Sequence, residues 1–283
     1  MRIARMGPIG RERAALYCDD GVLRYLPESL GDVDARFWVD GRREEAERLL
    51  NSNSLTHVVG AQERFGSPIA KPEKVICIGL NYREHALETG SPIPEEPIIF
   101  MKAPNCVVGP NDQILVPRNS HKTDWEVELG VVIGSRARYL KSVEDAAGVI
   151  GGYCVSHDVS EREFQIERGG QWDKGKSCET FNPLGPWLVT PDDVPAPQAL
   201  GLQLSVNGVL RQDGNTNDMI FDVPYIVWYL SQFMVLEPGD LINTGTPKGV
   251  SLGHDDVPYL RAGDIVDVRI DGLGAQRGEL SQA

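Results

Sequence analysis

The chain has 283 residues, 41% of them hydrophobic, and a formal net charge of −13. An acidic balance of this size argues against nucleic-acid binding, which needs clustered Lys and Arg. No apolar run is long enough to span a membrane, and the basic start MRIARMGPIG lacks the apolar segment of a signal peptide. The 5 cysteines show no CxxC spacing, which favours free thiols and a cytoplasmic location over a disulfide framework.

Residues 1–70 differ in character from the rest of the chain. They contain short strand-like segments such as RAALYCDD and one charged segment, GRREEAERLLNSN, that predicts a helix. The stretch GSPIAKPEK then carries the Pro and Gly residues that are typical of a linker. We therefore predict a small, β-containing N-terminal domain over residues 1–70 and a larger domain over residues 71–283.

From Lys74 onward, short apolar runs alternate with turns such as GPND, VNGV and RAGD. KVICIGL predicts a strand, and NYREHALETG predicts a short helix that ends at Gly90. Further helices are predicted in SVEDAAGV and DVPYIVWYLSQFM. The pattern is typical of a β-rich α+β fold. The other strand candidates are PIIFMK, QILVP, WEVELGVVIG, GYCVSHDV, GPWLVT, LQLSVNG, DLINTG and DIVDVRIDG.

The segment TDWEVELGVVIG places two carboxylates on one side of a predicted strand. Side chains at i and i+2 point the same way, so Glu126 and Glu128 would repel each other. On this pattern alone, a solvated outer face is the commoner explanation. The next strand, GGYCVSHDVSEREFQ, brings Asp158 to a strand end, and strand ends are where sites are usually built. Three oxygen ligands without a thiol cluster predict a site for Mg²⁺ or Mn²⁺, with zinc less suitable.

A possible general base lies in NYREHALETG, where His85 and Glu88 are three residues apart. On a helix they share a face and can touch. A carboxylate on one imidazole nitrogen fixes the tautomer and makes the other nitrogen more basic. From spacing alone, an exposed surface pair remains the commoner explanation. Gly90, Pro92 and Pro94 follow this helix, so the segment could act as a lid.

The combination of these motifs resembles the fumarylacetoacetate hydrolase family. The resemblance covers about residues 74–272 and is carried in order by EVELGVVIG, GYCVSHDVSEREFQ, WDKGKSCETFNPLGPW and LINTGTPKGV. It implies a mixed β-sandwich roll with a few short helices. By the same resemblance, Glu126, Glu128 and Asp158 bind Mg²⁺ or Mn²⁺, and His85 with Glu88 activates water.

The resemblance also assigns residues that spacing alone does not. Lys176 in WDKGKSC matches the motif lysine, which would stabilise a developing enolate, although the residues alone do not distinguish it from Lys174. Arg162 and Gln165, in DVSEREFQ, would face the substrate. Two further substrate contacts are predicted, at Thr246 in NTGTPKG and at Lys102 in FMKAPN. An ordinary loop threonine remains an alternative for Thr246.

These observations predict a Mg²⁺-dependent hydrolase that cleaves a carbon–carbon bond in a 2,4-diketo acid. The wording KVICIGLNYREHALETG and REFQIERGGQWDKGK is most similar to bacterial family members that act on 2,4-diketo-3-deoxy-L-rhamnonate or -fuconate and release pyruvate and lactate. An acylpyruvase and an oxaloacetate decarboxylase are alternatives on the same scaffold. A non-catalytic, metal-stabilised sugar-acid binding protein is an alternative of another class. The resemblance also implies a homodimer.

Overall fold

The fold is a mixed, β-rich α+β structure, seen here in a computed structural model that describes residues 1–254 and 256–283. This confirms the fold class that the sequence predicts. Short strands dominate the regular structure. In chain order they are β1 Arg2–Met6, β2 Arg13–Tyr17, β3 Leu23–Tyr25, β4 Val75–Gly79, β5 Ile98–Lys102, β6 Val107–Val108, β7 Ile114–Val116, β8 Thr123–Asp124, β9 Val127–Ile133, β10 Ile150–His157, β11 Ser160–Glu161, β12 Asn182–Pro183, β13 Leu188–Val189, β14 Gly201–Val206, β15 Val209–Asn215, β16 Leu241–Asn243, β17 Ile265–Ile270 and β18 Gly274–Gln282.

Helices are short and lie between the strands. The α-helices are α1 Ala35–Val39, α2 Arg42–Asn51, α3 Arg83–Glu88, α4 Asp173–Lys176 and α5 Val223–Ser231. A π-helical turn covers Glu163–Glu167. The segment SVEDAAGV, predicted as a helix, forms a 3-10 helix over Val143–Val149 that begins with a capping box between Ser142 and Asp145. The remaining 3-10 turns are Glu28–Leu30, Pro104–Cys106, Pro191–Asp193, Pro197–Ala199 and Thr216–Asp218.

Two sheets organise the molecule. The larger has nine strands in the order β3-β2-β1-β13-β10-β9-β16-β4-β5, and the smaller has five in the order β15-β14-β17-β18-β7. Two short ladders, β11-β8 and β12-β6, lie beside them. In the larger sheet β16 runs parallel to β4 and antiparallel to β9.

Strand β9 shows how the two faces of the large sheet differ. Val127, Leu129 and Val131 point into a core shared with β14 and β17 of the smaller sheet. The intervening residues point to the other face, where Val132 packs in a second core with α1. Glu128 lies on that second face, next to Ser156 of β10. The alternation of the strand therefore places a carboxylate on a face that is also buried.

Residues 1–70 extend the large sheet at one edge. Strand β1 pairs with β13, with Ile3 opposite Leu188. Ile3 and Phe37 also belong to the same core as Val75 and Val132. The division of the chain at residue 70 into two domains stays a prediction, and this shared sheet and core give the means of testing it.

Other sequence expectations concern membranes and thiols. No helix in the described part of the chain is both long and apolar enough to cross a membrane. The five cysteines are free, and all except the partly exposed Cys178 are buried.

A matched pair of isoleucines tests whether the N-terminal segment folds with the rest. Ile3 is fully buried and Ile9 is 78% exposed. We expect Ile3→Ala to destabilise the protein by about 2–5 kcal/mol, because it leaves a cavity in the shared core, and Ile9→Ala to change stability by less than about 0.5 kcal/mol. Calorimetry should show one transition that moves as a whole in Ile3→Ala. A second transition that moves alone would mean that residues 1–70 unfold independently.

Candidate active site

Three carboxylates meet on the second face of the large sheet. Glu126, Glu128 and Asp158 each offer an oxygen within 4.8 Å of the others, and all three are buried. Glu128 lies on β9 and Asp158 follows β10. Glu126 lies in the gap between β8 and β9 rather than inside a strand, because the chain changes sheet there. The amide of Asp158 donates to the carbonyl of Glu126 at 3.0 Å, which keeps the two chain segments together.

Buried cations of the protein itself neutralise two of these carboxylates. Lys176 Nζ lies 2.7 Å from Glu126 Oε2 and 2.8 Å from Asp158 Oδ2. Arg162 Nη2 lies 2.7 Å from Glu126 Oε1, and Lys102 Nζ pairs with Asp158 Oδ1. The sequence predicts that a divalent cation offsets the repulsion between these carboxylates. At Glu126 and Asp158, cationic side chains already offset it.

Lys102 lies in the carboxylate cluster rather than at an open surface. Its side chain is fully buried, and its ammonium group also donates to the carbonyl of Val159 at 3.1 Å. It projects from the end of β5, next to the 3-10 turn at Pro104–Cys106. In this position Lys102 contacts Asp158, so its predicted contact with substrate would require a ligand that enters the same cluster.

Glu128 is the member of the group that lacks a cationic partner. Among residues 1–254 and 256–283 it forms no salt bridge, and its Oε2 accepts one hydrogen bond, from the amide of Gly245 at 2.8 Å. Burial, with the negative charges of Asp158 and Glu126, raises the pKa of Glu128 well above its ordinary value. At Glu126 burial opposes ionisation, but the charges of Lys176 and Arg162 outweigh it and lower the pKa.

This arrangement fits a divalent cation. The residues that would hold it are Glu126, Glu128 and Asp158, all oxygen donors, as Mg²⁺ and Mn²⁺ prefer. A buried carboxylate without a positive partner is costly unless it is neutralised. Binding a cation would stabilise the charged form of Glu128, which forms no salt bridge with a side-chain cation of the described residues.

Lys176 owes its position to the glycine before it. It is the last residue of α4, which packs against the π-helical turn. A Cβ at Gly175 would come within 2.3 Å of the Glu161 carbonyl and 2.6 Å of Gln165 Cβ, so no larger residue fits there. Lys174, the residue that spacing could not separate from Lys176, instead donates to the carbonyl of Arg168 at the surface.

The predicted dyad is in contact. His85 Nδ1 lies 3.1 Å from Glu88 Oε2 on α3, and both side chains are largely buried. Burial raises the pKa of Glu88, but hydrogen bonds from His85, His254 and the Gly249 amide outweigh it and lower the pKa. A surface pair, the alternative suggested by spacing, does not describe these two residues. His85 is also close enough to Glu126 for its charge to lower the pKa of that carboxyl.

Helix α3 is fastened at both ends. Asp218 Oδ2 accepts the amide of Glu84 at 3.0 Å and so caps the first turn. At the other end, the Gly249 amide donates to Glu88. A Cβ at Gly249, where φ is +101°, would approach the Arg211 carbonyl to 2.0 Å. Glycine is required at this position by both its conformation and its surroundings.

The loop of residues 244–252 joins the dyad to the carboxylates. The Thr246 hydroxyl donates to the Val127 carbonyl at 2.9 Å and accepts from Gln212 Nε2 at 2.8 Å. Gln212 Oε1 in turn accepts from the Val127 amide at 2.9 Å. The hydroxyl of Thr246 thus serves to hold the loop, and a substrate contact from this segment would involve its backbone.

Asp124 is a residue of the candidate site that the sequence analysis did not identify. It is fully buried and accepts from Arg162 Nε at 2.9 Å and from the amides of Ser251 and Leu252 at 2.8 and 3.0 Å. Arg162 also donates to Gln165 Oε1 at 3.0 Å. Arg162 and Gln165 therefore form one buried group with Asp124 behind the carboxylates. The first acid of TDWEVE is the available signal.

Ser156 and His157 play no part in a triad with Asp158. The Ser156 hydroxyl donates to Asn243 and accepts from Asn182, at 2.8 and 2.9 Å. His157 lies on the opposite face of β10, and burial, reinforced by the positive charge of Lys102, lowers its pKa to about 3. Its Nε2 has no hydrogen-bond partner in the described part of the chain.

Comparison with known proteins gives one family. Residues 74–281 match the family model described as fumarylacetoacetate (FAA) hydrolase C-terminal. A Burkholderia multivorans protein that carries the provisional name hydrolase is 48% identical over 279 residues, 98% of this chain and 97% of that protein.

Solved structures of the same fold include hydrolases and isomerases. Fumarylacetoacetate hydrolase from Exiguobacterium antarcticum is 33% identical, with a TM-score of 0.86 and full coverage of both chains. Maleylpyruvate hydrolase from Sphingobium sp. SYK-6, in complex with manganese(II) and pyruvate, is 29% identical, with a TM-score of 0.82 and full coverage of both chains. Mycobacterial isomerases are also similar. The chain belongs to the fumarylacetoacetate hydrolase family.

Proposed function

We propose that this protein is a divalent-metal-dependent hydrolase that cleaves the carbon–carbon bond between C3 and C4 of a 2,4-diketo acid. The observation that carries the proposal is the joint presence of two units: a group of three carboxylates and a buried His85–Glu88 contact on a separate helix. A binding protein would need the carboxylates only.

Charge in the cluster supports an anionic substrate. With all groups ionised, four carboxylates (Asp124, Glu126, Glu128 and Asp158) face three side-chain cations (Lys102, Arg162 and Lys176). One negative charge is left over, and a bound divalent cation turns it into one positive charge. A substrate carboxylate neutralises this excess. A 2-oxo acid provides such a carboxylate next to a carbonyl oxygen.

The residues divide the work. His85, with Nδ1 facing Glu88, has Nε2 available to take a proton from water that attacks C4. The bond between C3 and C4 then breaks, and its electron pair passes into the 2-oxo acid fragment. Lys176 lies within 2.8 Å of two of the carboxylates, and its positive charge would stabilise the negative charge on that fragment. What a divalent cation supplies at these carboxylates is further electrostatic stabilisation of the same charge.

The substrate we favour is a 2,4-diketo-3-deoxy sugar acid of the rhamnonate or fuconate type, which would yield pyruvate and lactate. An acylpyruvase and an oxaloacetate decarboxylase use the same 2-oxo acid end. The complex of the similar maleylpyruvate hydrolase with manganese(II) and pyruvate supports a 2-oxo acid product. We also propose a cytoplasmic homodimer, with Mg²⁺ or Mn²⁺ as the metal. A screen that scores pyruvate release from these substrate classes tests the proposal, and no turnover of any of them would favour the binding-protein alternative.

The first prediction concerns the metal. We expect EDTA to abolish activity and Mg²⁺ or Mn²⁺ to restore it. Glu128→Gln should replace a charged ligand with a weaker neutral one, and it also removes the cost of ionising a buried group that lacks a cationic partner. The metal-free variant should therefore be at least as stable as the metal-free wild type, while the increase in melting temperature on adding Mn²⁺ shrinks. Binding of Mn²⁺ by this variant with wild-type affinity, measured by calorimetry, would contradict the assignment.

A second prediction concerns Lys102 and is tested by measuring Mn²⁺ affinity, without an activity assay. Every oxygen of Glu126 and Asp158 already contacts a cation. Lys102→Met removes one competing charge and keeps most of the volume of the side chain, so Mn²⁺ should bind about ten-fold more tightly. Lys74→Met, which removes a lysine paired with Asp240 away from the cluster, is the control. Weaker Mn²⁺ binding in Lys102→Met would show that the lysine assembles the site rather than competing for it.

A third prediction separates the dyad from the metal. His85→Ala should leave Mn²⁺ binding nearly unchanged and lower kcat by roughly 10²–10⁴, the usual scale for a lost general base. Glu88→Gln should lower kcat less, and the double variant should be little worse than His85→Ala because both residues serve one step. Decarboxylation of oxaloacetate needs no attacking water, so it should survive His85→Ala better. Equal loss of both activities would mean that His85 positions the substrate instead.

A further inference from the structure

His254 makes the second imidazole contact of the dyad. Its Nε2 lies 2.9 Å from Glu88 Oε1, on the opposite oxygen from His85. The two residues are separated by 166 positions in the chain, and neither the motif nor the spacing of NYREHALETG indicates this contact. Glu88 is thus held between an imidazole on its own helix and one on a distant loop.

We propose that His254 is a positioning residue, which fixes the rotation of the Glu88 carboxylate so that Oε2 stays directed at His85 Nδ1. The proposal rests on the function proposed above, in which His85 is the base. Glu88 is the last residue of α3, and its side chain has several rotatable bonds. A single donor would leave the carboxylate free to turn about its last bond.

The other donor to Glu88 does not select between the two oxygens. The Gly249 amide lies 2.9 Å from Oε1 and 3.2 Å from Oε2, so it fixes the place of the carboxylate but not its rotation. His254 contacts Oε1 alone. Occupying Oε1 leaves Oε2 to accept the Nδ1 proton of His85, and this leaves the Nε2 lone pair of His85 for water.

The loop that carries His254 is itself anchored. The amides of Ser251 and Leu252 both donate to Asp124, which also binds Arg162. The Trp125 indole donates to the Gly249 carbonyl at 3.0 Å. His254 therefore reaches Glu88 from a segment fixed to the carboxylate cluster, although its own side chain is 38% exposed.

The surroundings of His254 are open enough for it to be substituted without damage to the core. It lines two cavities, of about 380 and 360 Å³. An exposed imidazole beside a carboxylate could be a surface pair with little effect. The experiment must therefore separate loss of a specific donor from loss of a side chain.

The test compares His254→Ala with His254→Gln. We expect His254→Ala to lower kcat about ten-fold with little change in KM, since the geometry of the base is loosened while substrate binding is not. His254→Gln, whose amide N–H can reach the same oxygen, should recover most of the loss. His57→Ala is the control, because it removes an exposed imidazole that packs on Tyr25 outside the site, and its kcat should equal that of wild type.

A double-mutant cycle tests whether the effect of His254 depends on Glu88. In a Glu88→Gln background, His254→Ala should cause no further loss, because its effect passes through Glu88. The proposal is overturned if His254→Ala has wild-type kcat while His85→Ala does not. It is also overturned if the ten-fold loss persists in the Glu88→Gln background.

Failure of the proposed function gives a different pattern. In that case wild type releases no pyruvate, or His85→Ala keeps its kcat. Imidazole ¹⁵N–¹H spectra then decide about His254 without any activity: Glu88→Gln should shift the Nε2 signal of His254 and the Nδ1 signal of His85, and leave the remote His57 unchanged. An unshifted His254 signal would rule out the contact.

Discussion

The site depends on one buried ion pair network, in which the Lys176 ammonium group bridges Glu126 and Asp158 at 2.7 and 2.8 Å. Two carboxylates from neighbouring strand ends could not stay buried together without it, because like charges at this distance repel strongly in a medium of low dielectric constant. The bridge also joins three separate parts of the chain: the approach to β9, the end of β10 and helix α4.

The alternation of side chains along β9 then determines which residues face the core and which face the site. One face of β9 is committed to the core between the sheets, and the other carries Glu128 toward the site. Gly130, two residues on, does not leave the open space that its lack of a side chain suggests, because Cys154 Sγ lies 3.0 Å from where its Cβ would be. The floor of the site is therefore closely packed. Polar chemistry is concentrated near the strand ends, where Asp158 follows β10 and the loop of residues 244–252 follows β16.

The local part of this arrangement could be predicted from the sequence. Glu126 and Glu128 are two residues apart, so the two-residue repeat of a strand brings them together. His85 and Glu88 are three residues apart, so the turn of a helix brings them together. Asp158 could be predicted because it lies at the end of the next predicted strand. The predicted strands from PIIFMK to DIVDVRIDG follow apolar alternation and are present, although GPWLVT contributes only Leu188–Val189.

The features that the sequence could not predict are polar strands and long-range contacts. Strands β15 and β18 are rich in polar and charged residues because much of each is exposed, so they carry no apolar alternation to detect. In the sequence, Lys102 is an ordinary lysine of a predicted strand, and only the fold brings β5 next to Asp158. Asp124 and His254 act through partners more than 120 positions away. Contacts of this kind follow from the topology, which no local pattern specifies.

The loop after β16 has a consequence for how this enzyme can vary in length. Its amides serve separate acids in sequence: Gly245 serves Glu128, Gly249 serves Glu88, and Ser251 with Leu252 serves Asp124. An inserted or deleted residue between the first and last of these would move one donor out of register with its acid while the others held. By contrast, the exposed Gly169–Gly170 turn binds no acid of the site and can absorb insertions. Natural or engineered length changes should therefore accumulate at that turn and be excluded from the loop after β16.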